Sequence, residues 1–202
     1  ALSSQCQDCP MGTFSTARQS CSVCPVGRYT DQEATANECP TCPTGRYLLD
    51  KATSKNQHNH LSDCLFCALG KHFVEPTKDC AICASGYYQD QTGVVVLTCK
   101  ICPSGQYLLD TATKFDFHDN VDDCKKCILG KHFVSPTKDC DICQSGLYQD
   151  QIDGQFETCK QCPLGQYLLD AATGFELHDS IGDCKKCILG KHFVSSTKDC
   201  DI

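Results

Sequence analysis

One cysteine-bounded string returns every 60 residues along the chain, beginning at Cys64, Cys124 and Cys184. The first full copy, residues 64–123, matches the second, residues 124–183, at 38 of 60 positions without a gap. Self-similarity at a fixed period is typical of repeat architectures, in which small units pack against their neighbours. The sequence therefore predicts three repeat blocks and the start of a fourth, with bounds 6–63 (the most divergent), 64–123, 124–183 and 184–202.

Cys-x-x-Cys pairs divide each block into three shorter modules. From the second cysteine of one pair to the first of the next, the steps are 13, 16 and 22 residues in the two similar blocks and 12, 15 and 22 in the first block. The chain holds 21 cysteines in 202 residues, which is the density of a disulfide scaffold. A module of roughly 20 residues cannot bury enough apolar surface to fold alone, so cross-links and neighbouring modules must hold it together.

The cysteine content also predicts where the chain works, because disulfides persist in oxidising compartments. We expect a secreted or cell-surface protein. The N-terminus shows neither the basic region nor the apolar run of a signal peptide, which favours a processed or truncated chain. A net charge of −7 and a pI near 5.4 argue against nucleic acid and anionic membrane surfaces as partners. No stretch is long enough to insert into a membrane.

The second cysteine of five of the ten pairs, including all three in the first block, opens a Cys-Pro-x-Gly-x-aromatic sequence. Proline fixes one backbone angle and glycine permits a positive φ, so this is a turn that places the aromatic residue on the short strand that follows it. Short alternations before Cys99 (94–97) and before Cys159 (155–158) indicate further short strands. The fold class expected is small and disulfide-rich, mostly irregular with short β-hairpins, in an elongated tandem-repeat rod of about ten modules. The 22-residue steps leave room for one helical turn.

The cysteines fit either of two chemistries. Two Cys-x-x-Cys pairs 16 residues apart suit a zinc ribbon, but six cysteines per period do not divide into four-cysteine sites unless His72 and His118 join the count. The disulfide interpretation is favoured, and its simplest connectivity makes every module alike by joining the second cysteine of each pair to the first of the next. Interleaved pairing, first with third and second with fourth, stays open. The simplest connectivity pairs Cys9–Cys21, Cys24–Cys39, Cys42–Cys64, Cys67–Cys80, Cys83–Cys99, Cys102–Cys124, Cys127–Cys140, Cys143–Cys159, Cys162–Cys184 and Cys187–Cys200, with Cys6 left over.

The Cys-x-x-Cys-Pro-x-Gly-x-Tyr units and the acidic stretch before each new pair resemble the ephrin-receptor-like cysteine-rich repeats. The resemblance covers the chain from Cys6 to Cys200. More distantly, the modules are similar to those of tumour-necrosis-factor receptor ectodomains, which implies a ladder of disulfides. Ala68, Ile128 and Ile188 replace the proline in the Gly-Lys-His-Phe modules, so those turns can differ. The resemblance implies a module type and no particular ligand.

Several polar residues are candidate sites. His118 with Asp116, Asp119, Asp122 and Asp123 offers the carboxylates that hard cations bind, but the next block loses two of these acids, which favours a solvated loop. Three further histidines occupy the aromatic position and favour a packing role, with a pH-sensitive contact as the alternative: His72, His132 and His192. Possible O-glycosylation sites are Ser135, Thr137, Ser195, Ser196 and Thr197.

No nucleophile, phosphate-binding or metalloprotease motif is present, so we expect no enzyme and no cofactor. The favoured function is an extracellular structural protein, a filament segment of a cell-surface appendage, wall or matrix that associates with itself or with other extracellular proteins. The alternatives are a receptor or adhesion ectodomain and an intracellular zinc array. Predicted lateral contacts are the apolar residues Leu108, Leu109, Leu168, Leu169, Phe115, Phe117 and Phe175.

Overall fold

A computed structural model describes residues 8–16, 20–152 and 158–202. Ten disulfides occur in this part of the chain, each joining the second cysteine of one Cys-x-x-Cys pair to the first cysteine of the next. The structure thus brings together the pairs of the simplest connectivity, from Cys9–Cys21 to Cys187–Cys200. The predicted leftover residue, Cys6, lies outside the described residues.

Each hairpin joins the strand after a glycine turn to the two residues between the cysteines of the next pair. All strands are two residues long and antiparallel, because each disulfide closes its loop too early for a longer ladder. The hairpins pair Thr13–Phe14 with Ser22–Val23, Arg46–Tyr47 with Leu65–Phe66, Lys71–His72 with Ala81–Ile82, Tyr87–Tyr88 with Lys100–Ile101, Gln106–Tyr107 with Lys125–Lys126, Lys131–His132 with Asp141–Ile142, Leu147–Tyr148 with Lys160–Gln161, and Gln166–Tyr167 with Lys185–Lys186.

Single bridges stand in place of hairpins in the two remaining modules, between Arg28 and Thr41 and between His192 and Asp201. The predicted fold class, small disulfide-rich modules with short hairpins and about ten repeats, is confirmed. In the described residues there is no α-helix, and no helix has the length and hydropathy needed to cross a membrane.

The longest loop of each block holds two short 3-10 turns where one helical turn was expected. Each second turn is closed by a capping box, in which the residue before the turn and the aspartate at its end satisfy each other's backbone amides. The turns span Lys55–Gln57, Leu61–Asp63, Phe115–Phe117, Val121–Asp123, Phe175–Leu177 and Ile181–Asp183.

The strand predicted over residues 94–97 is absent. That segment instead bulges past the hairpin, with Val96 buried and its carbonyl accepting a hydrogen bond from the Phe73 amide at 2.8 Å. The strand is formed instead by Lys100–Ile101, which follow Cys99 and lie opposite Tyr87–Tyr88. Most of the other predicted alternation, residues 155–157, lies outside the described residues.

Contacts group the described residues into two compact units. The first comprises residues up to 83 together with 89–99 and 113–119. Its main cluster of buried residues is the Cys42–Cys64 disulfide with Leu48, against which Tyr29 packs. The aromatic residue of one module therefore covers the disulfide of the next, which is how so small a module obtains an apolar core.

The second unit comprises residues 84–88, 100–112 and 120–202, and it repeats this packing twice. Tyr88 packs against the Cys102–Cys124 disulfide and Leu108. The corresponding cluster one period later contains Tyr148, Leu168 and Cys162–Cys184.

Glycine turns also reach the module two places further along the chain. Gly130 has φ +75°, and a Cβ built on it would lie 2.0 Å from the Phe175 carbonyl oxygen. Gly70 is placed in the same way against the Phe115 carbonyl oxygen, and Gly12 against that of Lys55. A side chain at these glycine positions is therefore excluded both by the positive φ angle and by the carbonyl group of another segment of the same chain. Each of these turns contacts the next module but one as well as the next module.

Candidate interaction surface and module junctions

A buried histidine fixes the long loop of each block, and none of the three exposes any surface: His58, His118 and His178. Nδ1 of His58 lies 2.7 Å from the carbonyl oxygen of Arg28 in the preceding module, and Nε2 lies 2.9 Å from Oδ2 of Asp50. A carbonyl oxygen and a carboxylate ion can only accept hydrogen bonds. Both ring nitrogens therefore face hydrogen-bond acceptors, and the imidazole links two modules.

The same link recurs in the second unit. Nδ1 of His178 lies 2.8 Å from the Leu147 carbonyl oxygen, and Nε2 lies 2.9 Å from Oδ2 of Asp170. From the sequence, His118 was considered only as a metal ligand and His58 was given no role. The carbonyl partners of His58 and His178 lie about 30 residues away in the preceding module, so the sequence around each histidine does not indicate this structural role.

Each aspartate of these links sits in a tight loop that lowers its pKa. Thr53 donates to Asp50 through its hydroxyl group and through its amide, the latter at 2.8 Å. The intervening Ala52 has a φ of +61°, a left-handed conformation that closes this loop. The Thr53 hydroxyl above all, together with the His58 imidazole, lowers the pKa of Asp50 to about 2. The Asp50 carboxyl group is therefore ionised above a pH of about 2.

In the second unit the hydrogen bonds of Thr173 and His178 lower the pKa of Asp170 to about 2. Two loops at equivalent positions thus carry the same arrangement of threonine, aspartate and histidine.

A second polar link joins the tyrosine of a long-loop module to the next module. The Tyr107 hydroxyl donates to Asp139, which also accepts from the Cys140 amide at 2.7 Å and pairs with Lys131 at 3.5 Å. Burial of Tyr107 and its hydrogen bond to Asp139 raise the tyrosine pKa. The pKa of Asp139 is lowered, because these hydrogen bonds and Lys131 outweigh its partial burial. The equivalent pairs are Tyr47 with Asp79 and Tyr167 with Asp199.

Two clefts with apolar floors and acidic rims occupy equivalent positions 120 residues apart. The first has a volume of about 320 Å³ and the second about 230 Å³. Their linings correspond position by position: Leu48, Leu49, Asp50, Gln57, Asp63 and Leu65 in the first, and Leu168, Leu169, Asp170, Leu177, Asp183 and Lys185 in the second. Each cleft is an apolar surface with which another molecule can make contact.

The residues predicted to make lateral contacts divide into two groups. Leu108 and Leu168 are 5 % exposed and belong to the module cores, so the prediction was wrong for them. The leucine that follows each points outward, and Leu109 and Leu169 are 49 % and 50 % exposed. Successive side chains of an extended segment point in opposite directions, which the sequence pattern alone did not assign. Phe115 and Phe117 are exposed and Phe175 is half-buried.

The other candidate residues have mainly structural partners. Asp123 accepts the Asn120 amide at 3.0 Å and caps a 3-10 turn, and His118 is buried with its carbonyl oxygen bound by the Gln89 amide. His72 and His132 are half-buried beside disulfides, and the His192 backbone forms a bridge with Asp201. Of the other acidic residues in the loop of His118, Asp116 and Asp122 are exposed and Asp119 is half-buried.

The proposed glycosylation residues lie in two equivalent turns. Ser135 and Thr137 have their hydroxyl oxygens 3.3 Å apart, as do Ser195 and Thr197. Both threonines are exposed, while Ser196 is half-buried and its carbonyl oxygen accepts the Leu168 amide. O-glycosylation stays a prediction, and intact mass measurement tests it.

No protein-family model matches the chain. The chain is similar to "Sushi, von Willebrand factor type A, EGF and pentraxin domain-containing protein 1" of Mus musculus, with 32 % identity over 50 % of this chain and 3 % of that protein. It is also similar to "Signal peptide, CUB and EGF-like domain-containing protein 2" of Mus musculus, with 28 % identity over 71 % of this chain and 14 % of the relative.

A third similarity is to human "Tumor necrosis factor receptor superfamily member 16", with 25 % identity over 67 % of this chain and 33 % of the receptor. The chain thus spans at most a third of the length of these relatives. Together with ten disulfides, they identify the chain as an extracellular repeat protein, secreted or on the cell surface. The intracellular zinc array is therefore wrong.

Proposed function

We propose that this chain is a structural segment of an extracellular filament, wall or matrix, built from modules of the ephrin-receptor-like type. The observation that carries the proposal is the pair of equivalent clefts, because surfaces repeated at a fixed interval along a chain can bind another chain at regular points. Contacts that repeat without closing into a ring generate filaments. The expected partner is a second copy of this chain, and other extracellular proteins are the next candidates.

The charge and apolar character of the clefts fit such a role. Each combines an exposed leucine with two aspartates, and exposed lysines lie between the cysteines of the later pairs, at residues 125–126 and 185–186. Apolar contact supplies the attraction, and opposite charges at the rim fix the register.

The test begins with the size of the unreduced native protein, measured by sedimentation and electron microscopy. We expect filaments or concentration-dependent oligomers, and we expect Leu49→Glu/Leu169→Glu, which changes the exposed leucine of each cleft, to disperse them. Thr44→Glu/Leu164→Glu is the matched control, since it adds the same charge at exposed positions outside the clefts. Dispersed wild-type monomers, or assembly that the leucine variant leaves intact, would contradict the filament proposal.

A receptor or adhesion ectodomain is the second candidate, in which the array serves as a stalk or binds a protein ligand. The similarity to a tumour necrosis factor receptor superfamily member over 67 % of this chain supports it. Monomers at every concentration, together with a flanking membrane anchor in the full gene, are the results that favour it.

A further inference from the structure

Two disulfides have an imidazole within hydrogen-bond distance of a sulfur atom. Nδ1 of His72 lies 3.4 Å from Sγ of Cys99 in the next module. One period later, Nδ1 of His132 lies 3.5 Å from Sγ of Cys159. In each case the histidine nitrogen and both disulfide sulfurs, including those of the buried Cys83 and Cys143, lie within 4.8 Å of one another.

This spacing is close to that of a metal site. In a tetrahedral zinc site with Zn–S of about 2.3 Å and Zn–N of about 2.0 Å, neighbouring ligand atoms are roughly 3.5 Å apart. The imidazole and the Cys99 sulfur already stand at that separation, on chain segments held by a hairpin that places His72 opposite Ala81. The only ligand pair that has to move apart is the two bonded sulfurs.

We infer that each of these groups is a zinc-binding site of the Cys2His class that forms when its disulfide is reduced. A dithiol transfers two electrons and two protons to the Cys83–Cys99 disulfide and becomes a disulfide itself. Zn²⁺ then displaces one proton from each thiol and binds two thiolates and the imidazole. Thiolate and imidazole are the ligands that zinc prefers, and with three protein ligands water takes the fourth position.

The inference does not depend on the filament proposal. It explains why histidine occupies a position that holds an aromatic residue in most modules, including Phe14 in the first block. The module of Phe14 has the same strand register as the module of His72, since Phe14 pairs with Ser22 as His72 pairs with Ala81. The following disulfide, Cys24–Cys39, is an internal control without a histidine in that position.

The first test is limited reduction of the whole chain by a phosphine, followed by alkylation of the free thiols and peptide mapping. An imidazole beside a thiolate stabilises the reduced form, so Cys83–Cys99 and Cys143–Cys159 should open before Cys24–Cys39. Because Cys24 and Cys39 are also less exposed, the comparison is repeated with His72→Phe/His132→Phe, which leaves sulfur exposure nearly unchanged. The variant should lose this preference, and an unchanged order would overturn the inference.

The second test adds Co²⁺, a spectroscopic substitute for zinc, to the partly reduced protein without oxygen. We expect two Co²⁺ ions per chain, thiolate-to-cobalt charge transfer and the visible bands of tetrahedral cobalt. The phenylalanine variant should bind at least about tenfold more weakly. If it folds poorly before reduction, His72→Asn/His132→Asn, which keeps a polar side chain, replaces it. Equal affinity in the variant, or cobalt bound without charge transfer, contradicts the site.

Discussion

At the scale of single residues, the junctions depend on charges that the fold holds in place. The imidazoles of His58 and His178 are buried, each with one aspartate and one carbonyl oxygen as acceptors. Removing one partner of such an arrangement leaves the other buried and unpaired, which costs more than the link itself contributes. We expect His178→Leu to lower the free energy of unfolding by about 2 kcal/mol, seen as a lower melting temperature with all disulfides intact.

The same junctions predict how stability depends on pH. The pKa values of Asp50 and Asp170 are about 2 in the folded chain, below the value of about 3.9 expected when unfolded. A carboxyl group whose pKa is lowered by folding stabilises the fold at pH values above its pKa in the unfolded chain. This contribution is lost as the pH falls from about 4 towards 2. The melting temperature of Asp50→Asn/Asp170→Asn should therefore be lower at pH 6 and fall less on acidification.

A variant with an intermediate effect serves as a control, because the hydroxyl group of Thr173 contributes most to the lowered pKa of Asp170. Thr173→Val keeps the shape of the side chain but removes the hydroxyl donor, so its melting temperature should vary with acid less than that of the wild type and more than that of the aspartate variants. Parallel curves for all three proteins would show that these aspartates do not govern acid stability.

At the scale of the turn, glycine has two separable functions. Gly130 and Gly165 both have positive φ, +75° and +82°, so alanine is strained at either position by roughly 1 kcal/mol. Only at Gly130 would the new Cβ meet another chain segment, the Phe175 carbonyl group. We expect Gly165→Ala to cost about 1 kcal/mol and Gly130→Ala about 3 kcal/mol of unfolding free energy. Equal losses would mean that this glycine contact contributes nothing to stability.

At the scale of the module, disulfide pairing can be read from peptides because cleavage sites fall inside the pairs. Trypsin cuts after Lys125 and Lys126, between Cys124 and Cys127, and an Asp-specific protease cuts before Asp141, between Cys140 and Cys143. Without reduction, the digest should release the fragments of 127–140 linked only to each other. Fragments linked to Cys124 or Cys143 peptides would indicate interleaved pairing. Replacing both Cys127 and Cys140 by serine should cost about 3 kcal/mol.

Cysteine spacing and turn chemistry were enough to predict the module type, the hairpins and the extracellular location. They failed where the answer depended on atoms from another module. The strand expected at 94–97 gave way to the segment after Cys99, whose position is set by the opposite strand. Leu108 and Leu109 look alike in sequence, yet only the first faces a disulfide. The carbonyl partner of His58 belongs to Arg28 in the preceding module, so the sequence around this histidine did not reveal its role.

At the scale of the whole molecule, the 60-residue period is the unit that can be removed without creating a new junction. Hydrogen bonds link several glycine turns to the following module, as from the Gly130 amide to the Gln149 carbonyl oxygen at 2.8 Å. The same turn also packs against Phe175, one module further on. A module therefore needs the correct type of module both directly after it and two places further along the chain. Deleting residues 124–183 joins Asp123 to Cys184 and restores the Asp-Cys junction found at 123–124 and at 183–184.

We expect this deletion variant to fold, to lose three disulfides and to keep the melting temperature of the parent chain within the small change that a shorter array brings. Deleting residues 143–161 is the control. It removes one whole module, with Cys143 and Cys159, and leaves every other disulfide able to form. The Leu168 carbonyl oxygen can take the place of Gln149, because it accepts the equivalent Gly146 amide in the parent chain. The Phe175 loop, however, moves into the module that directly follows Gly130, so its packing against this glycine is lost. Because that packing joins modules two places apart, the melting temperature should fall below that of the larger deletion. If the smaller deletion is the more stable of the two, the single module and not the 60-residue block is the unit from which this array is built.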